Sequence, residues 1–116
     1  MKVPDCLEKK RTGRHVEGLA ACLLPFENNG DIAGPAFRDA VQRTAEAGLG
    51  CAVNMDTGYA NYISPTERTE VLVWTTETLG SGKRFAAGAF VEGREGDLEE
   101  LYRREIDEIA SFVGIP

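Results

Sequence analysis

Apolar residues along this chain gather in short continuous runs, and each run is followed by a longer stretch in which they recur at helical spacing. The first run, Leu19-Ala20-Ala21-Cys22-Leu23-Leu24, is closed by Pro25-Phe26 and the turn-rich Asn28-Asn29-Gly30-Asp31. A continuous run bounded by breakers predicts a strand buried on both faces. Pro35 then opens a pattern in which Phe37, Ala40, Val41, Thr44, Ala45 and Gly48 share one helical face, ended by Gly48 and Gly50. The second run, Cys51-Ala52-Val53, turns polar at once through Asn54, Asp56, Thr57, Gly58, Tyr59, Asn61 and Tyr62. Ser64-Pro65-Thr66-Glu67 predicts a helix start, with Ser64 as cap, Pro65 at the first helical position and Glu67 closing a capping box. That helix carries Val71, Leu72, Thr75 and Leu79 on one face and stops at Gly80-Ser81-Gly82.

The third run, Phe85-Ala86-Ala87-Gly88-Ala89-Phe90-Val91, follows Lys83-Arg84 and reads as another buried strand. After a Gly93 to Gly96 loop, Asp97 is a plausible cap for the clearest helix. Leu98, Leu101, Tyr102, Ile106, Ile109, Ala110 and Val113 recur there between charged residues. Gly114-Ile115-Pro116 reads as the turn before a further strand. Strand-helix alternation of this kind predicts an α/β fold of three βα units, with parallel strands and right-handed crossovers. Helices on one side of such a sheet leave the other face of apolar strands wet. Either partners cover that face or the chain is a piece of something longer. Residues 1–17 are expected to be a polar, flexible leader, and 18–116 the α/β domain.

At 116 residues and 42% hydrophobic, the chain is one domain at most. Its formal charge of -6 argues against a nucleic-acid or anionic-membrane partner, which calls for a basic face. The leader, with five Lys/Arg against three Asp/Glu, is the one locally basic segment and reads as solvated. No apolar stretch approaches the roughly 18 to 20 residues of a membrane span, and the leader lacks the apolar centre of a signal peptide. A soluble, cytoplasmic protein is expected.

Cys6, Cys22 and Cys51 form no CxxC pair, and an odd count argues against a disulfide framework. Cys22 and Cys51 read as small buried hydrophobes, and His15 as a surface residue. Gly80-Ser81-Gly82-Lys83-Arg84 fails as a phosphate loop: Glu77 stands where the leading glycine belongs, Arg84 follows the lysine, and the segment enters a strand instead of leaving one. Metal-ligand spacing is absent too, so no cofactor is expected. The charged residues of the last helix read as a solvated face with i, i+4 pairs.

Asp56, Thr57 and Gly58 differ from these. They fall just past a strand's carboxyl end and before a helix, where α/β enzymes gather substrate groups. Gly58 allows close backbone approach, and Thr57 can offer its hydroxyl and amide to a carboxylate. Tyr59 adds a phenol at the outer edge.

These residues carry a resemblance. From Gly18 onward the chain resembles the N-terminal part of the dihydrodipicolinate synthase and N-acetylneuraminate lyase family. That family's first strand ends in a Thr-Pro-Phe motif and a Gly-Asp-type turn, matched by Leu24-Pro25-Phe26 and Asn29-Gly30-Asp31-Ile32. Its Gly-Thr-Thr-Gly-Glu and the helix start that follows are matched by Met55-Asp56-Thr57-Gly58-Tyr59 and Ile63-Ser64-Pro65-Thr66-Glu67-Arg68. Its third strand is matched by Arg84-Phe85-Ala86-Ala87-Gly88.

The resemblance implies a TIM (β/α)8 barrel, of which this chain supplies the leader and three units. It also implies a class I aldolase-like lyase in which a lysine forms a Schiff base with pyruvate or a related 2-oxo acid, without a separate cofactor. Family threonines hold the substrate carboxylate. Thr57 matches the second of them, whereas Asp56 replaces the first, which is also a proton-relay position, and Tyr59 replaces a glutamate. A carboxylate at 56 repels a substrate carboxylate unless it is protonated or paired with a cation, so an altered substrate or reaction is expected. The family's lysine lies on a later strand. Lys2, Lys9 and Lys10 are in the leader and Lys83 precedes the third strand, so the chain is expected to be an incomplete N-terminal fragment, inactive alone. A homo-oligomer, or association through open sheet edges, is expected. The competing expectation is a small non-catalytic α/β binding or self-assembly module in which Asp56 and Thr57 only cap a loop.

Overall fold

A computed structural model describes residues 2–112 together with the backbone of 114 and 115. The expectations for Val113 on the last helix, and for Met1 and Pro116, lie outside the described residues. In chain order the elements are α1 (Val3–Glu8), β1 (Leu19–Ala21), α2 (Gly34–Glu46), β2 (Gly50–Val53), α3 (Pro65–Leu79), β3 (Phe85–Ala87), α4 (Leu98–Ser111) and β4 (Gly114–Ile115). The strands form one parallel sheet in the order β1-β2-β3-β4.

The helix boundaries follow the sequence signals closely. Ser64 accepts the Glu67 amide at 3.1 Å while Glu67 accepts the Ser64 amide at 2.9 Å, a reciprocal cap that fixes the start of α3. Asp97 caps α4 in the same sense, accepting the Glu100 amide. Gly80 ends α3.

The strands depart from expectation. The first run pairs only over Leu19–Ala21 and is not buried on both faces: Leu19, Ala21 and Leu23 are exposed, while Cys22 and Leu24 are buried. An edge strand with helices on one side can bury only every second residue. The third run ends as a strand at Ala87, keeps one more ladder bond from the Gly88 amide to the Val53 carbonyl, and then leaves the sheet. Gly114–Ile115 is not a turn before a strand but is itself paired with Phe85–Ala86. The leader carries a six-residue helix, α1, with no buried residue.

The core lies on one side of the sheet. Cys22, Leu24, Cys51, Val53, Phe85 and Ala87 meet Phe37 and Val41 of α2, Val71 and Leu72 of α3, and Ile109 of α4. Phe37 and Trp74 join α2 to α3, with ring centroids 6.2 Å apart, and Arg38 pairs with Glu77 at 2.5 Å beside them. Thr69 donates to Glu108 at 2.6 Å and joins α3 to α4. Cys51 donates to the Val41 carbonyl at 3.7 Å inside this core. The opposite face presents Leu19, Ala21, Leu23, Gly50, Ala52, Ala86 and Gly88, and no described helix covers it. On α4, Leu98, Tyr102 and Ile106 form a second uncovered apolar stripe at i, i+4, i+8.

Candidate functional site

The chain leaves β2 through Asn54, whose φ of 54° turns it out of the sheet. Asn tolerates that left-handed region better than most residues. Asp56–Gly58 then forms one 3-10 turn, with the Gly58 amide donating to Met55 and the Tyr59 amide to Asp56. Tyr59, at φ 55°, reverses the chain toward Ser64 and α3. Left-handed conformation at a bulky residue costs on the order of 1 to 3 kcal/mol and persists only where surroundings enforce it.

Here the enforcing residue is Arg68. It donates to the carbonyls of Ala60 at 3.1 Å and Ile63 at 3.0 Å, while Asn54 donates its side-chain amide to the Arg68 carbonyl at 3.2 Å. The guanidinium also lies 5.1 Å from the centroid of the Phe90 ring. One buried side chain thus ties the loop after β2, the start of α3 and the segment after β3. Asn54 Oδ1 and Arg68 Nε find no partner among the described residues.

These constraints shape a recess of about 480 Å³ at the carboxyl ends of the strands, lined by Ala21, Asn54, Met55, Asp56, Thr57, Ala60, Gly88, Ala89, Phe90 and Glu92. Of the expected site residues, Asp56 and Thr57 line it with exposed side chains. Gly58 is buried behind them, where a β-carbon would lie 3.5 Å from the Cys22 carbonyl. Tyr59 turns outward instead of lining the recess. It packs edge-on against Phe26 at 5.6 Å and tilts against Tyr62 at 6.3 Å, an exposed row of three rings. Asp56 has no ion-pair partner among the described residues.

Lys83 lies at the other end of the sheet, before β3. There it lines a larger hollow of about 540 Å³ with Glu17, Glu46 and Arg84. Amino ends of parallel strands are not where such folds gather their chemistry. Among the described residues no group of three or more His, Cys, Asp or Glu is placed to hold a metal ion, and no helix is long and apolar enough to cross a membrane.

Sequence reading missed Arg68, Asn54 and Gly88 as builders of this site. Arg68 did carry a signal: a cation in the first turn of a helix opposes the macrodipole and calls for another reason to be there. Compared with known proteins, the chain matches no protein-family model and no curated protein.

Proposed function

We propose that these strands form one arc of a (β/α)8 barrel like that of the dihydrodipicolinate synthase and N-acetylneuraminate lyase family, contributing the carboxylate-binding wall of a site for pyruvate or a related 2-oxo acid. The observation that carries this reading is the meeting of Asp56 and Thr57, past β2, with Gly88, past β3, in one recess at the carboxyl rim. Topology supports it. The strand order rises without reversal; with crossovers of the general right hand such an order keeps all helices on one face, whereas a doubly wound sheet reverses its order. The face that no described helix covers is where a closed ring of strands would place its interior, and the stripe on α4 suits a neighbouring helix.

Thr57 would hold the substrate carboxylate through its hydroxyl and amide. Asp56, in place of a threonine, argues for a substrate or reaction different from lysine biosynthesis. No lysine lines the recess, so Schiff-base chemistry needs an amine from outside these residues, and the 116-residue chain alone is inactive as a lyase. Pyruvate added to the ¹⁵N-labelled chain is expected to move the amide signals of Asp56, Thr57, Gly58 and Gly88. Perturbation elsewhere, or none, counts against the reading. Borohydride trapping with pyruvate should leave the mass unchanged, and an adduct on any lysine overturns the assignment of inactivity.

A second reading, a non-catalytic module that self-associates, is favoured by the exposed Phe26, Tyr59 and Tyr62 row together with Leu19 and Leu23. A defined oligomer by light scattering, with no pyruvate response, selects it.

A further inference from the structure

Arg68 carries a charge that no carboxylate among the described residues answers. Its residue is 6% exposed, and the ion pairs among the described residues all lie elsewhere. The neutral carbonyls of Ala60 and Ile63 take its donors, and Nε has no partner. A guanidinium does not shed its proton in a protein, so the full positive charge stays buried. Ala60 and Phe90, the residues it bonds and stacks on, both line the recess. The cation therefore sits directly behind the recess wall.

We infer that Arg68 sets the charge preference of the recess, making it bind a small carboxylate in preference to an uncharged molecule of the same shape, without touching the ligand. The identity of that carboxylate rests on the 2-oxo acid reading; the sign does not. Asp56 and Glu92 line the same recess with the opposite charge, so magnitudes decide. Both are exposed and work through water, where the dielectric constant is about 80. Arg68 works through protein, where the effective value is about 20, so at equal distance its field is about fourfold stronger than that of either one. Two solvated carboxylates then offset about half of it. The remaining preference is on the order of tenfold in affinity and is screened by salt.

The test titrates the ¹⁵N-labelled full chain with acetate, pyruvate and uncharged pyruvamide, read at the amides of Asp56, Thr57 and Gly58. It uses the wild type, Arg68→Lys and Arg68→Gln, since glutamine keeps a donor for Ala60 or Ile63 and removes the charge. Pyruvate should bind the wild type about tenfold more tightly than pyruvamide, and acetate, which lacks the 2-oxo group, more weakly than pyruvate. Lysine should keep most of that preference and glutamine should lose it. Should glutamine prevent folding, the wild type still decides: rising NaCl should weaken pyruvate and leave pyruvamide unchanged. A preference that survives Arg68→Gln, equal binding of all three probes, binding of neither carboxylate, or salt-insensitive pyruvate binding overturns the inference. Acetate binding as well as pyruvate removes the 2-oxo acid reading and leaves the role of Arg68 intact. Tighter pyruvate binding that ignores Arg68 does the reverse.

Discussion

Gly88 runs against Asn54 so closely that a β-carbon on Gly88 would strike the Asn54 carbonyl oxygen and lie 3.2 Å from its carbonyl carbon. Both are backbone atoms at the ends of paired strands, so neither can swing aside as a flexible side chain would. Gly88→Ala should push β3 from β2 at the rim and cost about 1 to 3 kcal/mol, the range for inserting a methyl into packed structure. Urea unfolding should show a lower midpoint with an unchanged slope. The same change should blunt the response to pyruvate proposed for Asp56 and Thr57, because Gly88 and Asn54 both line the recess. An unaffected midpoint would show that the two strand ends part without cost.

Ser64 and Glu67 cap each other, so their removal should not be additive. Ser64→Ala should cost about 1 kcal/mol. Glu67→Ala should cost less, and the double variant should fall short of the sum, because the second change finds the reciprocal bond already broken. Equal and additive losses in a thermal or urea cycle would mean that the two bonds act independently.

How far the sequence could be read follows from what each signal measures. Caps and breakers are local, and they located α3 and α4 at Ser64, Gly80 and Asp97. The parallel alternation of strands and helices was equally legible. The extent of each strand was not, because pairing depends on neighbours: Leu23 and Leu24 are as apolar as Leu19, yet β1 ends at Ala21. At the site, Asp56 and Thr57 could be singled out by their place after an apolar run, and both line the recess. Tyr59 could not be oriented, since its outward turn depends on a left-handed φ and on Phe26, which is distant in sequence. Arg68 stayed hidden because its partners, Ala60 and Ile63, are carbonyls that any sequence supplies.

The three thiols should separate by accessibility. Cys6 is exposed, whereas Cys22 and Cys51 are buried beneath α2. An aromatic disulfide reagent should modify one thiol at once and the other two only at the rate of opening. Contact with the Cys22 thiol, and then burial, raise the Cys51 thiol above its ordinary value of 9.0. A raised value means that the folded state keeps a proton the unfolded state gives up. Stability from this group is therefore complete below about pH 9 and is lost as pH climbs beyond it. The same contact holds the Cys22 thiol down to about 7, so both thiols are removed together: the stability gap between the wild type and the double variant Cys22→Ala, Cys51→Ala should narrow above about pH 9, and a constant gap up to about pH 10.5 would refute the shift.

Asp56 provides the sharpest test of what the recess holds. Its carboxylate lines the cavity, is exposed, and has no ion-pair partner among the described residues. Beside a bound carboxylate it can only repel, by about 1 kcal/mol at about 4 Å in water, which is about fivefold in affinity. Asp56→Asn keeps the shape and removes the charge, so pyruvate should bind about fivefold more tightly while pyruvamide stays as it was. Thr57→Val, which removes the hydroxyl proposed to donate to the same carboxylate, should weaken pyruvate by about tenfold, in keeping with a hydrogen bond to a charged group. The two substitutions pull in opposite directions only if an anion sits between these side chains. Should Asp56→Asn weaken pyruvate instead, the aspartate must be a partner of the ligand. That requires a proton on its carboxyl or a cation brought in with the ligand, and either one turns the repulsion between Asp56 and the bound carboxylate into attraction.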